Sequence, residues 1–389
     1  MWRWITLGFA ALAIVIIGFS LADSAVDAPV TASAVLGEVD TTDFTRALTP
    51  LDWQFPRDFG AHPEYQTEWW YYTGNLESED GRRFGYQFTI FRRGISADLP
   101  TGESSEWRST QLYMAHFAVT DAAGGRFLHE ERFSRGGAEL AGVVVEPIYR
   151  TWLESWQVIG LNPEATERRI TAAMSSQGGA SIDLTLSIVK SPVLQGENGD
   201  GLSAKSENAG NASHYYSLTR MPTQGTITIG GETFTIEGAS WMDHEFSTSA
   251  LAGDALGWDW FGLQFDDDRE MMIGQIRLND GGRDPGFGGV LVDPDGSTRY
   301  LPAESFTITP TGTWTSPHSG GVYPSGFEVS VDMGDSVPLR FTVTPLLADQ
   351  ELYGGGIVYW EGSVRISGDV TGYGYVELTG YVDAMTGRF

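Results

Sequence analysis

Residues 70–90 begin with Trp70-Tyr71-Tyr72-Thr73-Gly74-Asn75-Leu76 and, after a turn with acidic residues, continue with Tyr86-Gln87-Phe88-Thr89-Ile90. Aromatic and β-branched residues dominate both runs, and such residues favour strands. A similar arrangement returns at Trp258-Asp259-Trp260-Phe261-Gly262-Leu263, followed by an acidic turn and Met271-Met272-Ile273-Gly274-Gln275-Ile276. The two copies predict two related hairpins, although any two aromatic hairpins share part of this pattern.

The spacing of the copies indicates a duplicated domain. Gly74 and Gly262 hold matching places and are 188 residues apart, which is about the length of one domain. Short strand-like runs follow one another from residue 51 to the end, and no amphipathic stretch is long enough to predict a helix. We therefore predict an all-β chain with an N-terminal domain over residues 49–246 and a C-terminal domain over residues 247–389.

Composition excludes several classes of function. The 389 residues include 51 acidic and 24 basic side chains, a net charge of −27, and this charge repels nucleic acid and anionic lipid. Cysteine is absent, which excludes disulfides, thiol nucleophiles and thiolate metal sites. We therefore predict that nucleic acid is not a partner, and the sequence does not indicate an oligomeric state.

The first 22 residues have the pattern of an export signal. Arg3 precedes the apolar run from Ile5 to Phe19, and Ser20-Leu21-Ala22 offers small residues at the positions that signal peptidase recognises. The alternative is an uncleaved membrane anchor, which would be the chain's one contact with a membrane. Residues 23–48 read as a linker. We expect an exported protein, periplasmic or extracellular.

One polar segment interrupts the strands. Residues from Gln195 to Ser213 are rich in Gly, Asn, Ser and Glu, and this composition predicts a long surface loop. Loops of this length often act as lids over a binding site. A linker between the domains is the competing interpretation.

Familiar catalytic and metal-binding motifs are missing. The run Gly238-Ala239-Ser240 continues with Trp241 and does not form a nucleophile elbow. The six histidines lack zinc-site spacing, and on a strand His244 points away from its neighbours Asp243 and Glu245. We predict neither a metal nor a cofactor.

Two short pairs carry the acid chemistry. His214-x-Tyr216 and Trp241-x-Asp243 each place two side chains on one face of a strand. If both strands line one cavity, a desolvated Asp243 can hold its proton near neutral pH, while aromatic faces stabilise a developing carbocation. The competing interpretation makes the aromatics core residues and Asp243 part of a turn or a solvated pair.

Glu68 is a further candidate, because it shares a strand face with Trp70 and Tyr72. A buried carboxylate needs a partner, and Arg92 or Arg220 is available. We favour a structural role for Glu68 over a catalytic one.

Five segments of the sequence point to a known family: Phe55–Gly60, Glu68–Gly74, Tyr215–Arg220, Ser240–Phe246 and Gly374–Tyr381. These segments resemble the carotenoid 1,2-hydratase (hydroxyneurosporene synthase) superfamily. Within it they are most similar to the secreted, AttH-like branch of tandem lipocalin-like proteins, often labelled predicted secreted hydrolases. The resemblance implies two lipocalin-like β-barrel or β-sandwich domains in tandem, with an apolar ligand cavity near their junction.

The resemblance also implies site residues. Asp243 matches the proton donor of the hydratases and His214 their essential histidine. Tyr216 and Trp241 match their aromatics, which are tryptophan and tyrosine there. The strand departs from the family after Asp243, so the pocket is not expected to fit an acyclic carotenoid. The residues predicted to bind the substrate are Glu68, Trp70, Tyr72, His244, Trp258 and Trp260.

The function predicted on this basis is acid-assisted hydration, or a related water-dependent step, on an isoprenoid-like or polyene-like molecule. Asp243 is the general acid, and His214 orients the water. One alternative is a lipid carrier in which Asp243 is ionised and paired to an arginine. Another is a hydrolase with Ser217 or Ser240 near His214 as nucleophile. An adhesion factor is a third.

Overall fold

The computed structural model describes residues 41–97, 105–248, 251, 253–334 and 337–385, and the signal peptide predicted over residues 1–22 lies outside them. Strands make up nearly all regular structure in these ranges, as the sequence predicts. Two short 3-10 turns, Arg57–Phe59 and Ala303–Ser305, accompany them. No helix in the described ranges has the length and apolar character needed to span a membrane.

The first sheet forms the N-terminal barrel and contains thirteen antiparallel strands. They are β1 (Thr67–Ser78), β2 (Arg83–Gly94), β3 (Gln111–Asp121), β4 (Arg126–Arg135), β5 (Ala141–Val144), β6 (Arg150–Leu153), β7 (Trp156–Gly160), β8 (Glu167–Ala173), β9 (Ala180–Ser187), β10 (Val193–Leu194), β11 (Leu202–Ala204), β12 (Ala212–Ile229) and β13 (Glu232–Ser247). Their order is β4-β3-β2-β1-β13-β12-β9-β8-β7-β6-β5, with β10 and β11 paired to β12.

The second sheet forms the C-terminal barrel, and β19 and β20 pair separately beside it. The strands are β14 (Ala255–Phe265), β15 (Glu270–Leu278), β16 (Gly289–Val292), β17 (Thr298–Leu301), β18 (Phe306–Pro310), β19 (Thr313–Thr315), β20 (Val322–Pro324), β21 (Phe327–Val331), β22 (Leu339–Pro345), β23 (Glu351–Leu352), β24 (Tyr359–Gly368) and β25 (Gly372–Leu378). Their order is β17-β16-β15-β14-β25-β24-β22-β21-β18, with β23 on β24.

The two barrels repeat one topology. In each, the first strand lies between the second strand and the last, since β1 pairs with β2 and β13 while β14 pairs with β15 and β25. The matched glycines face different ways, however. Gly74 points into its barrel beside Tyr86, whereas Gly262 points outward beside Trp260. The sequence match therefore identifies corresponding strands, but it is shifted by one residue, so the matched side chains point to different faces of their sheets.

Three apolar clusters follow from strand alternation. One fills the N-terminal barrel, where Trp70 and Tyr72 point inward, and a second fills the C-terminal barrel around Phe261. The third lies between the barrels, where the outward residues Tyr71 and Trp260 meet at a ring distance of 5.4 Å. Each barrel thus has its own core, and the outward faces of their first and last strands form the junction.

The folded part begins earlier than predicted. The sequence assigns residues 23–48 to a linker, of which residues 23–40 lie outside the described residues. Phe44 and Ala47 are buried, and the amide of Thr45 donates to the carbonyl of Glu64 at 2.8 Å. These small apolar contacts attach the end of the predicted linker to the N-terminal barrel.

Candidate functional site

A cavity opens between the two barrels, and we call it the junction cavity. The cavity and the open solvent at its mouth together have a volume of about 1070 Å³. Its walls are mainly aromatic, with four carboxyl groups among them. The aromatic lining residues are Trp69, Tyr71, Phe91, Tyr215, Trp258, Trp260, Phe287 and Tyr359, and the acidic ones are Asp243, Glu245, Glu361 and Glu377.

The pairing of β12 with β13 decides which side chains reach the cavity. Ser217 lies opposite Asp243, and Tyr215 lies opposite Glu245. Directly opposed residues of an antiparallel pair share a face. These four side chains therefore stand together on the outward face of the N-terminal barrel, next to the C-terminal barrel.

Asp243 is buried in the wall of the junction cavity, with 4% of its surface exposed. Its Oδ1 accepts hydrogen bonds from Ser217 Oγ at 2.5 Å and Trp241 Nε1 at 2.7 Å, and its Oδ2 accepts one from the Tyr215 hydroxyl at 2.8 Å. Burial raises the pKa of Asp243 to about 7, although the three donors favour the ionised form. Asp243 is thus able to hold a proton near neutral pH.

The C-terminal barrel contributes two more acids from neighbouring strands. Glu361 on β24 lies opposite Glu377 on β25, and Trp258 Nε1 donates to Glu377 Oε2 at 2.8 Å. Burial raises the pKa of Glu377 to about 7, and the charges of Asp243 and Glu245 act in the same direction. Acids from both barrels therefore face one cavity and oppose each other's ionisation.

Glu361 is the most enclosed acid of the four, with 1% of its surface exposed. Neither carboxyl oxygen has a hydrogen-bond partner among the described residues. The phenols of Tyr71 and Tyr359 favour its charged form without reaching hydrogen-bonding geometry. Burial and the charge of Glu377 raise the pKa of Glu361 well above its usual value.

A histidine at the edge of the cavity links the two barrels. His116 on β3 contacts the Tyr359 hydroxyl through Nδ1 at 2.6 Å and the Glu131 carboxylate through Nε2 at 2.9 Å. Tyr359 belongs to the C-terminal barrel, and Glu131 lies on β4 of the N-terminal barrel. This contact fixes Tyr359 in the cavity wall.

The polar loop predicted over Gln195–Ser213 supplies one cavity residue. Lys205 lines the cavity and forms an ion pair with Glu245 at 2.5 Å. The same loop includes β11, which pairs with β12 of the N-terminal barrel. The loop is therefore attached to the N-terminal barrel beside the cavity, while its action as a lid stays a prediction.

The structure divides the ten predicted site residues between the two faces of one sheet and the facing barrel. Asp243, Trp258 and Trp260 line the junction cavity, and Trp241 contacts Asp243. The side chains of the remaining six point into the N-terminal barrel, because they lie on the same face of the sheet as Phe246 and Met242 and on the opposite face from Asp243. They are Glu68, Trp70, Tyr72, His214, Tyr216 and His244.

Both strands line the junction cavity, through Tyr215 and Asp243, but only the pair Trp241 and Asp243 lies on that side of the sheet. Tyr216 lies opposite His244, and His214 lies opposite Phe246, on the inward face. His214 packs against Trp53 and Tyr65, and burial lowers its pKa to about 4. A one-residue difference in position on the strand places these side chains across the sheet from Asp243.

Glu68 is the centre of a buried ion network. Arg92 Nε donates to Glu68 Oε2 at 2.8 Å, so Arg92 is the partner, as one of the two predicted candidates. The other candidate, Arg220, pairs with Glu270 at 2.5 Å. His62 and His244 each contact Glu68 Oε1, at 2.9 and 2.8 Å. The arrangement supports the structural role.

The network also brings together two histidines that are distant in the sequence. The ligand atoms of His62, Glu68 and His244 lie within 4.8 Å of one another, a spacing that suits a metal ion. Arg92 occupies the remaining carboxylate oxygen, and His244 Nδ1 contacts the Tyr216 hydroxyl at 3.0 Å. These donors satisfy the carboxylate, so the residues fit an ion network better than a metal site.

The serines proposed as nucleophiles have other partners. Ser217 donates to Asp243 and accepts from Gln195 Nε2 at 2.8 Å. Ser240 contacts the Tyr86 hydroxyl at 2.6 Å inside the N-terminal barrel. Neither serine is hydrogen-bonded to His214 in the described part of the chain, so the predicted pairing of serine and histidine is not formed.

Comparison with known proteins assigns the chain to a family. The AttH-like family profile matches residues 46–381. The crystal structure of a protein assigned as AttH from Nitrosomonas europaea is 32% identical, with a TM-score of 0.74, and the match covers 87% of this chain and 100% of that one. Kievitone hydratase from Nectria haematococca shares the fold at 15% identity and a TM-score of 0.62, over 89% of this chain and 98% of that one. No curated protein sequence matches the chain. This protein belongs to the AttH-like family.

Proposed function

We propose that this protein binds an apolar, isoprenoid-like or polyene-like molecule in the junction cavity and catalyses an acid-assisted addition of water or a related water-dependent step. The observation that carries the proposal is Asp243, a buried carboxyl group with a pKa of about 7 among aromatic walls. The N-terminal pattern at residues 1–22 supports export of the protein.

The proton transfer follows from the hydrogen bonds of Asp243. Its Oδ1 already accepts from Ser217 and Trp241, so the acidic proton is best held on Oδ2. Trp260 Nε1 donates to the Tyr215 hydroxyl oxygen at 3.2 Å, which directs the Tyr215 hydrogen toward the same carboxyl group. Protonation of a bound alkene by Oδ2 forms a new C–H bond and leaves a carbocation.

The rest of the reaction uses the cavity walls. Trp258, Trp260 and Tyr71 line the cavity together with Asp243, and the faces of aromatic rings attract positive charge. Water adds to the cation through a new C–O bond, and the oxonium proton returns to the Asp243 carboxylate. The overall reaction adds one water molecule to the alkene, and the Asp243 carboxylic acid is regenerated.

The role predicted for His214 passes to other residues in this proposal. His214 lies on the inward face of the sheet, so it does not reach water in the junction cavity. Glu377 faces the cavity and has a pKa of about 7, so it is able to exchange hydrogen bonds with water in either protonation state. We assign the positioning of water to Glu377.

A non-catalytic carrier is the second candidate, because the same walls would hold an apolar ligand. The carrier hypothesis requires an ionised Asp243 paired to an arginine. The hydrogen-bond partners of Asp243 are Tyr215, Ser217 and Trp241, and its pKa is raised. Both observations favour the acid over the carrier.

The test is incorporation of oxygen-18 from labelled water into a lipid extract of the source organism. We expect label in an apolar product with the wild-type protein and none with Asp243→Asn. Asp183→Asn is the matched control, because Asp183 is half exposed and pairs with Arg169 far from the cavity. Absence of label with all three proteins, together with an unmodified copurifying lipid, would support the carrier instead.

A further inference from the structure

The junction cavity has a surplus of acidic groups. Asp243, Glu245, Glu361 and Glu377 line it, while its basic lining residues are Lys205 and His116. Lys205 is already paired with Glu245, and His116 is held by Glu131 and Tyr359. The remaining three acids have no basic partner among the residues that line the cavity.

Glu361 is the acid whose bonding is incomplete. Asp243 has three donors and Glu377 has the Trp258 indole, but neither oxygen of Glu361 has a partner within the described ranges. A polar group buried to 99% without a partner is uncommon, because it loses its hydration without replacement. A molecule in the cavity that carries a hydrogen-bond donor or a positive charge would complete it.

The cavity already accommodates one ammonium group, that of Lys205. Its Nζ lies 4.8 Å from the centre of the Phe287 ring and 5.3 Å from that of Tyr215, beside the Glu245 carboxylate. This combination of aromatic faces and one carboxylate is the usual environment of a bound organic cation. The protein therefore builds such a site at one end of the cavity with its own side chain.

The surroundings of Glu361 repeat that combination without a resident cation. Tyr71 and Tyr359 contribute aromatic rings beside the carboxyl group, and Trp260 lies opposite Glu377 on the neighbouring strand. The lining residues Trp69 and Trp258 add two further indoles. An ammonium group placed here meets aromatic rings and a carboxyl group whose oxygens have no hydrogen-bond partner among the residues that the structure describes.

We propose that the junction cavity binds apolar molecules that carry a positively charged nitrogen, with Glu361, which releases its proton to solvent when the cation binds, as the counter-ion. This goes beyond the proposed hydration, because binding a stable cation requires no proton transfer from Asp243. The net charge of −27 also raises the local concentration of cations around the protein. The ligand class is thus an amine or quaternary ammonium with an apolar body.

Two probes of equal shape test the proposal on the full-length protein. Benzyltrimethylammonium carries a positive charge, and neopentylbenzene is its uncharged isostere. Quenching of tryptophan fluorescence reports binding, because four tryptophans lie in or beside the cavity: Trp69, Trp241, Trp258 and Trp260. We expect the wild-type protein to bind the cation at least about tenfold more tightly than the isostere.

Glu361→Gln should abolish this preference while retaining binding of the isostere. Glu167→Gln is the matched control, because Glu167 is exposed on β8 and its replacement removes the same formal charge. We expect Glu167→Gln to keep the tenfold preference at the same ionic strength. Loss of preference in both variants would mean that general surface charge, and not Glu361, attracts the cation, which would overturn the proposal.

The wild-type comparison decides the matter even if Glu361→Gln does not fold, which thermal unfolding would reveal. Equal affinity for the two probes, or no binding of the cation, would overturn the proposal. The oxygen-18 experiment is independent of this result. Label without a cation preference would support the hydration and contradict the cation site. A cation preference without label would support the cation site and contradict the hydration.

Discussion

Glu361 and Glu377 lie directly opposite each other on the last two strands of the C-terminal barrel. In the N-terminal barrel the last two strands pair Ser217 with Asp243. Each last strand also pairs with the first strand of its barrel, where Tyr71 meets Asp243 and Trp260 meets Glu377. Asp243 and Glu377 thus hold corresponding places in the repeated topology, and the duplication brings both acids to one cavity.

Replacement of Asp243 by asparagine is expected to lower the free energy of unfolding at low pH and to raise it at high pH. The folded protein holds the Asp243 proton up to a pKa of about 7, whereas the unfolded chain releases it near pH 4. Ionisation therefore favours the unfolded chain progressively between these values, by roughly 4 kcal/mol above pH 7. The amide matches the three donors less well, at a cost of about 1–2 kcal/mol.

We accordingly expect Asp243→Asn to raise the free energy of unfolding by about 2 kcal/mol at about pH 8 and to lower it by about 1–2 kcal/mol at about pH 4. Urea denaturation at the two pH values measures both. Asp183→Asn, at an exposed ion pair, should change stability by less than about 1 kcal/mol at about pH 8. A variant less stable than wild type at both pH values would contradict the neutral, buried state of Asp243.

The fold was predictable because alternation and duplication are local and repeated signals. The aromatic runs at Trp70 and Trp258 lie on β1 and β14, and each run begins a barrel of the same strand order. The end of the linker was less predictable. Phe44 and Ala47 have no periodic neighbours, and their burial depends on contacts with a barrel that begins twenty residues later.

The site was only partly predictable, since alternation identifies which residues share a strand face but not which face meets the other barrel. The sequence correctly places His214 and Tyr216 on one strand face, and likewise Trp241 and Asp243. The pairing of their strands, however, puts the two pairs of side chains on opposite faces of the sheet. Glu361 and Glu377 were missed, although each acid interrupts an apolar, aromatic strand. That interruption was the available signal.

Glu68→Gln tests the ion network inside the N-terminal barrel. Glu68 is fully buried, and its pKa is held well below the usual value by the Arg92 charge and by hydrogen bonds from His244 and His62, against the effect of burial. Removal of its charge leaves the buried Arg92 guanidinium without an anion. We expect the free energy of unfolding to fall by about 3–5 kcal/mol, measured by urea denaturation near pH 7.

The matched control for this prediction is Glu154→Gln. Glu154 is half exposed and lies 3.5 Å from Arg132, so its replacement should cost less than about 1 kcal/mol. If Glu68→Gln costs no more than Glu154→Gln, the network does not stabilise the barrel.

Glu270 forms a buried ionic contact between the two barrels. It is fully buried at the start of β15, and its carboxylate accepts from Lys190 Nζ at 2.8 Å, Arg220 Nε at 2.5 Å and Thr219 Oγ1 at 3.1 Å, all from the N-terminal barrel side. In Glu270→Gln the two cations lose their shared buried anion, and Arg220 keeps only the exposed carboxylate of Asp268 at 3.8 Å. We expect a loss of about 3 kcal/mol, which acts between the barrels and not within either core.

Scanning calorimetry should therefore show a single transition for the wild-type protein and two separated transitions for Glu270→Gln. The control Glu328→Gln, at an exposed position of β21, should keep the single transition. A single, merely lowered transition in Glu270→Gln would mean that the remaining contacts couple the barrels, among them the packing of Tyr71 on Trp260 and the hydrogen bonds of Asn75.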